Sequence, residues 1–235
     1  MKRYWKYTIK LLKGWRLGDY FRQFSIVAAG VIVTFWGSDL ITNHSRQKEI
    51  RSVMQLIHQE LQNNHKELLH IRSMIKADIY MSRLLKEAHL ELDSIPSDTI
   101  KKYWEFFSTT TSLNINTDAL EVLKGSQLMQ HISDKQMLQD LLQIYAQLDQ
   151  AKTDVAAYYQ LKNHAIMSCM EALDQNQVKY YMFSEVYDAF YDFEMTQPVF
   201  LSFVSVAEGF CDWSRFNHID TLLTQEIALL HERFN

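Results

Sequence analysis

Histidines and acids at helical spacing are the first residues in this 235-residue chain that could do chemistry. His65 and His70 flank Glu67 in the run His65-Lys-Glu67-Leu-Leu-His70. A zinc-binding helix of this kind needs its two histidines four apart, so that both imidazoles reach one ion. Five residues carry a helix about 140° beyond the starting face, so these two rings diverge. His58 and His65 share a face, but no carboxylate or cysteine beside them completes a ligand set. They read as solvated histidines of a long helix. Glu171, Asp174, Glu185, Asp188, Asp192 and Glu194 could supply a carboxylate pair for acid–base work, yet charges at this spacing usually form a solvated face. The chain has no glycine-rich phosphate loop, no Gly-x-Ser-x-Gly elbow and no convincing cysteine–histidine pair. The expectation is a non-enzymatic protein with no catalytic residue, metal ligand or cofactor.

Cys169 and Cys211 are the only cysteines. That excludes a disulfide framework and a clustered-thiol zinc site. Two readings stand for the pair: buried inert thiols, or one disulfide if the body lies in an oxidising compartment.

The elements that carry these residues are helical. Two prolines and six glycines are few for the length, and both punctuate strands and turns, so the fold class is all-α. Residues 1–22 hold seven lysines and arginines against Asp19, about +6, while the whole chain is at -4. The cations alternate with aromatic and aliphatic residues, among them Trp5 and Trp15, a composition suited to a lipid headgroup surface rather than to nucleic acid. From Gln23 to Ser38 no residue is charged. With Tyr20, Phe21, Leu40 and Ile41 at its ends, Arg22 able to snorkel and Trp36 at the interface, this run predicts a transmembrane helix over 21–41. A cleaved signal peptide and a buried core helix are the competing readings. The long basic region and the missing small-residue cleavage pattern count against the first; the many cations just before it count against the second. The lysine and arginine bias places the N-terminus in the cytoplasm and the body in the periplasm of a bacterial inner membrane.

No proline or glycine occurs from Ser38 to Ile95. Within that stretch Ile50, Met54, Ile57, Leu61, Asn64, Leu68, Ile71 and Ile75 recur by threes and fours, a heptad pattern. A parallel homodimeric coiled coil, with Asn64 fixing its register, fits the stripe. So does a long helix packed inside its own chain's bundle, with Asn64 against a backbone group. The predicted organisation is a basic leader (1–20), a transmembrane helix (21–41), a stalk helix (42–95) and a helical bundle (96–235). The stalk ends at Pro96, with Ser97 or Asp98 as the next cap. Helices follow near 118–129, 134–175, 177–195 and 198–233, and the helices near 42–92, 134–175, 177–195 and 198–233 pack as an antiparallel bundle. Lys152 and Lys162 interrupt the apolar stripe of the 134–175 helix, which predicts a partly wet face. The aromatic run from Tyr180 to Phe193 reads as core or as a stacking surface.

Two stretches carry a resemblance. Ile26-Val-Ala-Ala-Gly-Val-Ile-Val-Thr-Phe, followed by Asp39, Asn43, Arg46 and Lys48-Glu49-Ile50, is similar to the anchor region of an uncharacterised Bacteroidetes family of single-pass, membrane-anchored helical proteins. The stretch from Asn116 to Leu138, through Leu120, Leu123 and Ser126, resembles that family's central motif, with Gln127 where glycine is usual. The resemblance implies an anchor and a helical domain and no activity. The partners expected are the bilayer, a second copy through the stalk, and an unidentified protein bound by a scaffolding or ligand-sensing bundle.

Overall fold

The computed structural model describes residues 17–173, 187–210 and 213–234, with side chains at all of these except 17–23, 35, 37–40, 187–189, 210 and 213. Among the described residues there are eight α-helices, two 3₁₀ turns and no strand. The helices are α1 (Leu17–Glu87), α2 (Ser97–Lys102), α3 (Glu105–Ser108), α4 (Asp118–Gly125), α5 (Lys135–Glu171), α6 (Tyr187–Glu194), α7 (Pro198–Phe210) and α8 (Trp213–Phe234). The chain divides into two compact units, 1–51 and 52–235.

In the first unit α1 presents large apolar side chains to the outside: Phe24, Ile26, Val27, Val31, Ile32, Val33, Trp36 and Ile41 are all exposed. The Thr34 hydroxyl donates to the Gly30 carbonyl at 2.8 Å. Among the described residues no helix is long and apolar enough to cross a membrane. Of the expected 21–41 span, the described side chains are those of 24–34, 36 and 41.

The second unit is the bundle, and residues 52–87 of α1 fall within it. The physical reason is the heptad stripe itself: Met54, Ile57, Leu61, Leu68, Ile71 and Ile75 are at most 1 % exposed within a single chain. Each such side chain gains roughly 1.5–3 kcal/mol from leaving water. That face is therefore covered by the chain's own bundle.

α1 stops nine residues before Pro96. Its end is closed by the Leu90 N–H donating to the Leu85 carbonyl at 2.7 Å and the His89 N–H to the Lys86 carbonyl at 3.1 Å. This is a Schellman closure without glycine, and His89 and Leu90 take φ of 52° and 66°. A side chain in that left-handed region costs about 1 kcal/mol. His89→Gly is expected to raise stability by up to about 1 kcal/mol in chemical denaturation, less the extra entropy glycine gives the unfolded chain.

Pro96 itself is the N-cap of α2, and no side chain caps that helix. α4 ends at Gly125, and a 3₁₀ turn (Leu128–His131) replaces the predicted last turn. Thr117 caps α4 without a side-chain bond; Asn116 Oδ1 accepts from the Asp118 N–H at 2.8 Å instead. Asp134 caps α5, accepting from the Met137 N–H at 2.9 Å. The predicted last helix is described as two, α7 and α8. Val206 is exposed, while Phe203 and Phe216 are buried.

Cross-links between helices give their directions. Residues 60 and 78 of α1 bond to 145 and 158–162 of α5, so these two long helices run parallel. The short helices between them form the crossover. α8 is antiparallel to both: Asp134 and Asp154 of α5 pair with Arg233 and Arg215, and His65 and Gln55 of α1 bond to Asp220 and the Phe234 carbonyl. The bundle stands, but it is not antiparallel throughout.

Candidate functional site

The heptad stripe of α1 continues past Ile75 to Asp78, seven residues after Ile71, and α5's stripe runs through Tyr159, Lys162 and Ile166. Two opposite charges thus fall on two core-facing stripes, and they meet. Lys162 Nζ donates to Asp78 Oδ1 at 3.0 Å and Oδ2 at 2.8 Å, and to the Glu105 backbone carbonyl at 2.9 Å. The Tyr158 hydroxyl donates to Asp78 Oδ2 at 3.0 Å. Lys162 is 1 % exposed and Asp78 4 %, so the predicted wet face at Lys162 is corrected to a dry ion pair. Lys152 does stay exposed. Burial pushes the Asp78 carboxyl up, against the pull of Lys162 and Tyr158, and pushes the Lys162 ammonium down, against Asp78.

Aromatic rings wall this pair. Lys162 Nζ lies 5.7 Å from the Phe106 ring centre and 5.8 Å from that of Tyr159, a cation–π arrangement. Phe106 stacks on Phe203 at 5.6 Å, and Phe107 on Tyr191 at 4.4 Å. The chain's own lysine occupies the space where such a cage would hold a ligand cation. Beside it on α6 lies Glu194, fully buried, with neither carboxyl oxygen hydrogen-bonded. Burial pushes it up to about 9 although Lys162 acts in the opposite sense. Cys169, a fully buried free thiol, is pushed up to about 12 by burial first and by Glu194 second, so it is a poor nucleophile at neutral pH. Its proposed disulfide partner Cys211 lies outside the described residues.

A second polar cluster joins α1 to the chain around α4. Glu60 accepts from the Ala119 N–H at 2.8 Å and from the Tyr145 hydroxyl; burial, then Glu60, pushes that phenol up. Asn64, 2 % exposed, donates to the Asn116 carbonyl at 2.7 Å and accepts from the Asn116 N–H at 2.9 Å. Its amide thus imitates a backbone partner. Both ends of the amide are satisfied inside the chain, the arrangement expected of an asparagine packed against a backbone group of its own bundle.

The histidines separate. His65 bonds Asp220 Oδ1 at 2.6 Å, and Arg72 reaches Asp220 Oδ2 at 3.2 Å and Asn217. His70 is exposed. His58 is buried rather than solvated, its ring 5.5 Å from His231; burial first and His231 second push it down. Among the described residues no group of three histidines, cysteines or acids is arranged to hold a metal ion.

Of the other site residues read from the sequence, Trp36 is exposed. Trp5 and Trp15 lie outside the described residues, as does the side chain of Arg22. An open cleft of about 560 Å³ runs beside the α1 closure, lined by Tyr80, Glu87, His89, Glu91 and Thr99 among others. No protein-family model, no curated protein and no solved structure matches the chain.

Proposed function

We propose that the chain is a membrane-anchored, non-enzymatic helical protein of the bacterial envelope, whose bundle serves as a scaffold or partner-binding module. The ring of exposed apolar side chains on α1 carries this reading. Phe24, Ile26, Val27, Val31, Ile32, Val33 and Trp36 point to all sides of the helix, and no charge interrupts Gln23 to Ser38. A helix apolar on every side needs an apolar medium. The span 21–41 is about 31 Å by helical rise, close to the ~30 Å hydrocarbon core. The Thr34 hydroxyl is already satisfied on the helix, as a polar group in lipid must be. The basic 1–22 segment favours a cytoplasmic N-terminus and a periplasmic bundle.

The bundle's polar sites favour binding over catalysis. The Asp78–Lys162 pair is dry and its ammonium protons are spent on protein oxygens, so nothing reactive faces a substrate there. The alternative, a ligand-sensing bundle that signals through a partner protein, draws on the open cleft beside the strained His89–Leu90 closure.

Carbonate extraction and protease accessibility test the anchor. The wild-type chain is expected in the membrane pellet after alkaline wash, with the bundle digested only when the outer face is opened. Recovery of the intact chain in the wash would overturn the reading. Crosslinking in intact membranes then separates a scaffold, which captures structural neighbours, from a sensor, which captures a signalling protein.

A further inference from the structure

Glu194 has no partner in the network it borders. An ammonium group has three protons, and those of Lys162 are committed to Asp78 Oδ1, Asp78 Oδ2 and the Glu105 carbonyl. The Tyr158 hydroxyl is committed to Asp78. Among the described residues the titratable groups that act on Glu194 or are acted on by it are Lys162 and Cys169 of α5, and Lys162 in turn faces Asp78 of α1 and Glu105 of α3; Asp192 on α6 itself is exposed. No hydrogen bond donor reaches either carboxyl oxygen. An ionised carboxylate cannot be kept in such a place without donors.

The element that carries Glu194 is weak by itself. α6 has eight residues, too few for a helix to persist in water unsupported. Tyr191 and Glu194 on its inner face and Met195 just after it are all buried, with Tyr191 stacked on Phe107. Whatever acts on Glu194 therefore acts on the docking of the whole element.

We propose that α6 is a proton-coupled strap: it docks against α5 and Phe107 only with Glu194 in its acid form, and its release gives that proton to solvent and uncovers the Lys162–Asp78 pair. This rests on the bundle alone and stands whether or not the anchor enters a membrane. Held at about 9 when docked, against an ordinary value of 4.5, Glu194 leaves docking at full strength below about pH 4.5. Docking then weakens as pH rises, until the docked group itself ionises near 9.

Hydrogen exchange of the full chain, read by mass spectrometry on peptides covering 187–195, tests the strap. After correction for the intrinsic base catalysis of exchange, the opening constant of α6 is expected to rise about tenfold per pH unit between roughly pH 5 and 8. In Glu194→Gln, which keeps shape without the charge, that rise should vanish. A wild-type opening constant that does not change with pH, or an equal slope in the variant, would overturn the proposal. Should the variant fail to fold, infrared spectra of the full chain carrying ¹³C-labelled glutamate decide. A neutral-acid carbonyl band should persist near pH 8, where Glu226, held up to about 7 by burial and by Asp140, is mostly ionised. Absence of that band overturns the proposal.

Discussion

Lys162→Met should destabilise the bundle by about 3–5 kcal/mol, because it removes one partner of a buried ion pair and leaves the other uncompensated. Methionine fills nearly the same volume, so the loss is electrostatic rather than a cavity. Asp78 would keep only the Tyr158 hydroxyl, in a site where it is 4 % exposed. The sign with pH follows. Burial already holds the Asp78 carboxyl above its ordinary 3.8 in the folded chain, and without Lys162 nothing cationic opposes that shift. The variant's stability is then greatest below about pH 4, where folded and unfolded states are both protonated, and is lost as pH rises through the folded value. Wild type should lack most of this slope. Asp78→Leu combined with Lys162→Met should recover most of the loss, since an apolar pair of similar volume needs no desolvation. The Tyr158 hydroxyl and the Glu105 carbonyl then lose partners, which sets the residual at about 1–3 kcal/mol. Urea midpoints at constant m-value measure all three proteins. A single variant as stable as wild type would mean that the pair is not dry.

The same pair shows how far the sequence could be read. All-α class, the long uninterrupted α1, its apolar stripe and the Asp134 cap of α5 follow from local rules of period, punctuation and capping. Lys162 read as wet because a lysine on an apolar stripe has no local partner. Its partner is 84 residues away in the chain. The overlooked signal was reciprocal: Asp78 continues the heptad count of α1 while Lys162 interrupts the stripe of α5, so each stripe carries one charge of opposite sign. His58 reads as solvated on the same local grounds, although His231 and Phe234, near the far end of the chain, close over that stretch of α1. The parallel run of α1 and α5 was hidden for a topological reason. Short connections make helices antiparallel, but residues 88–134 fold into short elements that return the chain to the stretch of α1 before Glu60.

Asn64→Ile shows where local pattern gives the wrong sign. In a coiled coil, replacing a lone asparagine in an isoleucine layer raises stability and loosens oligomer choice. In this fold the same change removes two hydrogen bonds, to the Asn116 N–H and the Asn116 carbonyl, from a position 2 % exposed. It also leaves both backbone groups facing an apolar side chain. A lost bond with its partner left unsatisfied costs about 1–3 kcal/mol, less where water can reach the orphaned group. Asn116 is itself exposed on its outer side, so the expected loss is about 2–4 kcal/mol for the two together. The effect should spread to α4, because Asn116 Oδ1 also holds the Asp118 N–H at the start of that helix and Glu60 holds the next N–H. Hydrogen exchange should therefore rise first over residues 114–125, with the molecular mass by light scattering unchanged. A gain in stability or a change of oligomer size would favour the coiled-coil role. A backbone partner 52 residues away leaves no residue type to recognise, so in the sequence the two roles of Asn64 look alike and differ only in the sign of this result.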